Sequence, residues 1–245
     1  MGEHDAFIAP SPASTAAFLA VIALVLGAMI TAVRRAMPER RNALTFAVLG
    51  WAAITALPSA SGIVRSLESP APLIAFFAVC NVTALVVALS PIGRRIAALP
   101  LTALIGFQAF RLPLELVLHR WHAEGSIPVQ MTFGGHNFDV VTGTLALALA
   151  VYGIGREIPR AWAWGFNVMG SALLLAVMTI ALTSSPVPAR LYSGQPLLLG
   201  YYFPYAWIVP LAVAPALAGH VIVFRALLAR TEASPPRRLD PRTAP

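Results

Sequence analysis

The chain has 245 residues, of which 58% are hydrophobic and 11% charged, and its formal net charge is +7; soluble domains are about half apolar and a quarter charged. A soluble enzyme is excluded, because apolar stretches of about 20 residues recur along the whole chain and exceed what one globular interior holds. Nucleic acid is not the expected partner either, since the basic residues lie between apolar runs and do not gather on one face.

Taken in chain order, the first dozen residues carry Glu3 and Asp5 but no basic residue, the wrong flank for a cleaved signal peptide, so the first apolar run is expected to be retained. Seven segments have the apolarity to cross about 30 Å of hydrocarbon at about 1.5 Å per residue. They are residues 14–33, 43–60, 71–90, 96–118, 138–154, 161–183 and 202–228. The second and fifth are short and the seventh is long. The expected fold is all-α, a polytopic bundle of seven transmembrane helices over residues 1–230, with the lipid bilayer as its partner. Residues 231–245, rich in proline and arginine, read as a disordered cytoplasmic tail that touches anionic lipid through Arg237 and Arg238.

Arginine alone sets the orientation, because the sequence contains no lysine. Arg34, Arg35, Arg40, Arg41, Arg94, Arg95, Arg156, Arg160, Arg225, Arg230, Arg237, Arg238 and Arg242 fall on one side of the seven spans. Only Arg65, Arg120 and Arg190 fall on the other, and Arg111 lies inside a span. The amino terminus is therefore expected outside and the carboxyl terminus in the cytoplasm, across an inner membrane. Trp162, Trp164, Tyr201, Tyr202, Tyr205 and Trp207 cluster where headgroup anchors belong. Pro100 and Pro113 in the fourth span, and Pro204, Pro210 and Pro215 in the seventh, remove backbone donors and predict kinks directed toward protein or a cavity. No internal repeat favours an inverted-repeat transporter. Cys80, the only cysteine, is expected as a small buried apolar residue.

Polar chemistry concentrates between Gly106 and Gly143. Gln108, Arg111, Glu115, His119 and His122 follow at spacings of 3, 4, 4 and 3. At about 100° per residue they share an arc of roughly 80°, provided the helix persists through Pro113. Such a stripe cannot face lipid, because an ionised arginine or carboxylate at membrane depth costs about 2.5–3.5 kcal/mol on insertion scales without a partner or water. Glu115, one turn after Arg111, is close enough to pair with it and so fix helix packing. Alternatively the stripe lines a polar cavity open to the outer side that binds or passes a small polar solute, ion or proton. In that reading Arg111 holds an anionic group, Glu115 pairs with it or carries a proton, and Gln108 orients the ligand.

The loop that follows alternates Ile127, Val129, Met131 and Phe133 with polar residues or proline, then runs into Gly134, Gly135, His136, Asn137 and Asp139. A segment folding back over the bundle mouth would bury the apolar face and bring Gln130, Asn137 and Asp139 to the stripe; a hairpin lying in the interface explains the same pattern. His119, His122 and His136, with Glu124 and Asp139, supply ligand types for a transition metal, although no HExxH motif is present. A metal-assisted hydrolase would use Glu115 or Glu124 as base; a third class is a structural or assembly subunit. His119 and His220 lie at unequal depths, which argues against a shared haem. His220 is expected as hydrogen-bonded structure, and Asn81 and Asn167 as bridges between helices. Retinal is excluded for want of a lysine.

Through Phe110, Arg111, Glu115, Gly125, the run IPVQMTF, Asn137, Phe138, Asp139 and Gly143, the sequence resembles a family of bacterial multi-pass membrane proteins with no assigned activity. Members of that family tend to be acidic at the place of Gly134 and to carry arginine at the place of His136. The resemblance thus implies that His136 is expendable, against its reading as a metal ligand.

Overall fold

The computed structural model describes residues 7–65 and 69–232, and every regular element among them is helical. The tail expected at 231–245 falls almost wholly outside these residues. Helix α1, Pro12–Ala36, begins at Ser11, whose hydroxyl accepts from the Ser14 N–H at 3.3 Å, with Pro12 in the first turn where its missing donor is harmless. Phe18, Val21, Ile22 and Val25 recur at helical spacing and are its buried face. Helix α2, Arg41–Ala60, and helix α3, Ala71–Leu89, follow, and Ser90 caps the short α4, Pro91–Ala97.

The fourth expected span is broken. Helix α5, Leu101–Phe107, passes through a 3-10 turn at Gln108–Phe110 into α6, Arg111–Ala123. Pro113 cannot donate to the carbonyl of Ala109, and the tightened turn accommodates the lost bond. At its far end α6 stops in a Schellman turn: Gly125, at φ 76°, donates to the His122 carbonyl at 2.9 Å, and Ser126 donates to that of Trp121 at 2.8 Å. The chain then doubles back, burying Ser126, Ile127, Met131, Thr132 and Asn137, to enter α7, Asp139–Tyr152. Of the two arrangements that the loop's alternation left open, the burial of these residues fits the fold-back.

Helix α8, Arg160–Ser184, is continuous. The last span is not: a 3-10 turn at Tyr205–Trp207 and a π-helical turn at Val209–Val213 precede α9, Ala214–Glu232. Pro215 has no N–H with which to continue the wide turn, and the carbonyl of Pro210 instead accepts from the Trp51 indole at 3.3 Å. The Trp207 indole donates to the Ala52 carbonyl at 3.0 Å, fastening the kinked segment to α2. Tyr201 and Tyr205, expected as headgroup anchors, are instead buried; Tyr205 meets the ring of Trp121 edge-on with centroids 5.5 Å apart, whereas Trp162 is half exposed.

Among the described residues, six helical runs are long and apolar enough to cross a membrane: Pro12–Ala36, Pro38–Ala60, Ala71–Leu89, Leu101–Ala123, Arg160–Ser184 and Tyr205–Arg230. Helix α7 has 14 residues, about 21 Å of rise, short of a full crossing. Large apolar side chains such as Phe46, Ile54, Leu57 and Val86 stand on outward faces. A surface of this kind belongs in hydrocarbon, and the chain fits an integral, multi-pass membrane protein.

Contacts sort the connecting segments into two ends. At one, Arg95 pairs with Glu39, Arg225 donates to the carbonyls of Ala88 and Ser90, and Arg160 donates to that of Leu227. At the other, Glu124 accepts from the Ser11 N–H at 2.9 Å, the Ser11 hydroxyl at 2.7 Å, the Ser14 hydroxyl at 2.8 Å and Arg120 Nε at 2.9 Å. Partial burial alone would raise the Glu124 carboxyl, but these donors outweigh it and hold it down at about 2, from an ordinary 4.5. At the same end Gln195 donates to the Gly125 carbonyl, and Arg65 lies over the Tyr202 ring.

Candidate functional site

Arg111 opens α6 at the middle of the broken span, and α7 approaches it closely because residue 143 is glycine. A Cβ at Gly143 would stand 2.3 Å from the Leu112 nitrogen and 2.9 Å from the Arg111 carbonyl carbon. One turn earlier on α7, Asp139 reaches Arg111: Nε donates to Oδ2 at 2.6 Å, and Nη2 pairs with Oδ1. The fork-on-fork geometry satisfies both carboxylate oxygens, and Asp139 sits in the first turn of α7, where the helix dipole favours negative charge. The third arginine nitrogen, Nη1, lies 3.0 Å from Nε2 of His220 on α9.

The network fixes the histidine tautomer. Asn167 on α8 donates through Nδ2 to the His220 carbonyl at 3.0 Å, which leaves its Oδ1 to accept from Nδ1 at 2.8 Å. His220 thus carries its proton on Nδ1 and offers the Nε2 lone pair to Arg111. Gly170 on α8 makes room for the ring, since a Cβ there would stand 2.7 Å from Cε1. Asn167 bridges α8 to α9 as expected; Asn81 does not bridge, because its amide donates to the Phe77 carbonyl of its own helix at 2.8 Å.

Glu115 is one turn beyond Arg111 but not paired with it: the Arg111–Glu115 bridge expected from spacing is replaced by Arg111–Asp139. Instead, Asn137 Nδ2 lies 2.8 Å from each Glu115 oxygen and 3.1 Å from the Met131 carbonyl. Asn137 Oδ1 accepts from the Asp139 N–H at 3.1 Å, so one amide both caps α7 and holds Glu115. Glu115 is 2% exposed and forms no ion pair among the described residues. Gln108, also buried, donates to the Ala216 carbonyl at 3.0 Å, while its Oε1 has no hydrogen-bond partner.

A cavity of about 100 Å³ adjoins this cluster. Arg111, Glu115, Asn137 and Asp139 stand along it, and most of its remaining wall is apolar, from α3, α6, α8 and the π-helical turn. Ile74 on α3 and Leu182 on α8 line it and are 42% and 37% exposed.

Of the expected ligand-binding residues, Arg111, Glu115, Asn137 and Asp139 come together along the cavity; Gln108, bonded to the Ala216 carbonyl, and Gln130, in the fold-back, do not line it. The three histidines are held apart. His119 is exposed and stacks on Phe133 with ring centroids 4.4 Å apart, His122 Nδ1 meets the Ile127 carbonyl at 3.1 Å, and His136 is exposed beside Tyr192. Among the described residues no group of three or more His, Cys, Asp or Glu is arranged to hold a metal ion. His220 and Asn167, expected as hydrogen-bonded structure and as a helix bridge, complete the cluster beside Arg111. No protein-family model, curated protein or solved structure matches this chain.

Proposed function

We propose that the protein is a seven-span integral protein of the inner membrane, with its amino terminus outside, that binds a small amphipathic molecule within the bilayer. The contacts at the two ends of the bundle support the topology: the arginine-rich connections meet one another, and Glu124, Ser11, Arg65 and Gln195 lie with the opposite set. With α7 as a half-length crossing completed by the fold-back, the alternation of sides is preserved. Single cysteines at Gly134 and Arg156, on either side of α7, in a Cys80→Ala background should label from opposite faces with a membrane-impermeant maleimide; labelling from the same face overturns the seven-span reading.

The observation that carries the ligand reading is the composition of the cavity, polar along one part and apolar over most of the rest, with the exposed Ile74 and Leu182 in its wall. A hydrated solute would lose its water shell there without replacement, whereas an amphiphile meets matching surface along its length. Binding of n-octanol to protein in nanodiscs, read as a rise in melting temperature, should be lost in Val177→Phe, which fills the cavity wall. An unaltered response in that variant rejects the site. A purely architectural role is the second reading, favoured by the complete bonding of Arg111.

A further inference from the structure

Resting on the amphiphile reading above, we infer that the site prefers a ligand with a cationic, hydrogen-donating head, of the primary alkylammonium class, and that Glu115 is the residue that receives it. Arg111 is the cation that the sequence offers to an anionic ligand, but it is already committed. Nε and Nη2 are taken by Asp139, and Nη1 faces the lone pair of His220. An anion would have to displace a buried, bidentate carboxylate to reach it.

The charges along the cavity leave the opposite need. Arg111 and Asp139 cancel, and the tautomer of His220 is neutral. What remains is the Glu115 carboxylate, 2% exposed, facing the cavity and served by a single amide nitrogen. Two carboxylate oxygens have about four lone-pair sites, and Asn137 Nδ2 must divide its donors among both of them and the Met131 carbonyl. Once ionised, Glu115 would lack one positive charge and hydrogen-bond donors at the same place, a need that a cationic donor meets on binding. A primary ammonium supplies both, with three N–H groups and one charge, while its chain lies along Leu174, Val177 and Ala212. A quaternary ammonium supplies the charge without the donors and is the weaker fit.

The test uses the full chain in nanodiscs and three probes of equal length: n-octylammonium, n-octanol and n-octanoate, each titrated at neutral pH by thermal shift and isothermal calorimetry. The wild type should bind octylammonium at least tenfold more tightly than octanol, with octanoate weakest. Glu115→Gln should erase the difference between octylammonium and octanol. Equal binding of octanol and octylammonium by the wild type overturns the inference, as does preference for octanoate, and in both cases the amphiphile site stands. If none of the three binds, the amphiphile reading itself fails. The head-group order is read on the wild type, so it holds even if Glu115→Gln does not fold.

Discussion

Two glutamates, Glu115 within α6 and Glu124 just past its end, show how the same side chain serves different ends in different surroundings. Glu124 accepts four hydrogen bonds, one of them from a cation, and ties the start of α1 to the end of α6. Glu115 is more deeply buried yet holds only one amide and no cation. A carboxylate whose lone pairs are filled by its own chain is a fastening; one left short at a cavity wall has capacity for something else.

The largest effect expected in testing this contrast lies between the two, at the Arg111–Asp139 pair. Arg111→Met should destabilise the protein by about 3–5 kcal/mol, because it strands Asp139 in a low-dielectric interior. The double variant with Asp139→Asn should be much milder than the sum of the singles, measured by reversible unfolding in mixed micelles. Additive losses would mean that the pair is not a unit. Gly143→Ala comes next: the added methyl drives α7 off the Leu112 backbone and should cost about 1–3 kcal/mol, with loss of the Arg111–Asp139 coupling.

Glu124→Gln should cost about 1 kcal/mol at neutral pH, since the contact is near the surface. Its carboxyl is depressed in the folded state, so the stabilisation is fully present above the ordinary value of 4.5 and fades as pH falls toward about 2. Melting temperatures of wild type and variant should therefore converge across that interval; a constant gap would show that the shape of the side chain matters, not its charge. The smallest change in stability is expected at Glu115, where Glu115→Gln should leave the fold within about 1 kcal/mol of wild type. A loss as large as that at Arg111 would place Glu115 among the fastenings and erase the contrast.

The sequence made the helices legible where composition alone decides: the apolar runs around α1, α3 and α8 extend over lengths that only a membrane accommodates. It also marked Gln108, Arg111 and Glu115 as one buried face, and Asn137 and Asp139 as their neighbours. The partners were misread, because spacing along one helix cannot reveal that Gly143 brings a second helix into backbone contact and that Asp139 arrives first. His119 and His122 continue the same arithmetic stripe, yet Leu118 and Trp121 hold the buried side of α6 at that level, and periodicity carries no information on which face a neighbour covers. The half-length of α7 was visible only as a short apolar segment; that its amino end begins beside Arg111 depends on the fold-back that Gly125 starts.

In the proposed reading the cavity opens to lipid at Ile74 and Leu182, which decides how a guest would be supplied. An opening on the hydrocarbon side draws from what is dissolved in the membrane, so occupancy follows the mole fraction of guest among the lipids and not its amount in the surrounding water. Diluting the vesicle suspension with buffer would barely empty the site, whereas fusing in ligand-free lipid would drain it.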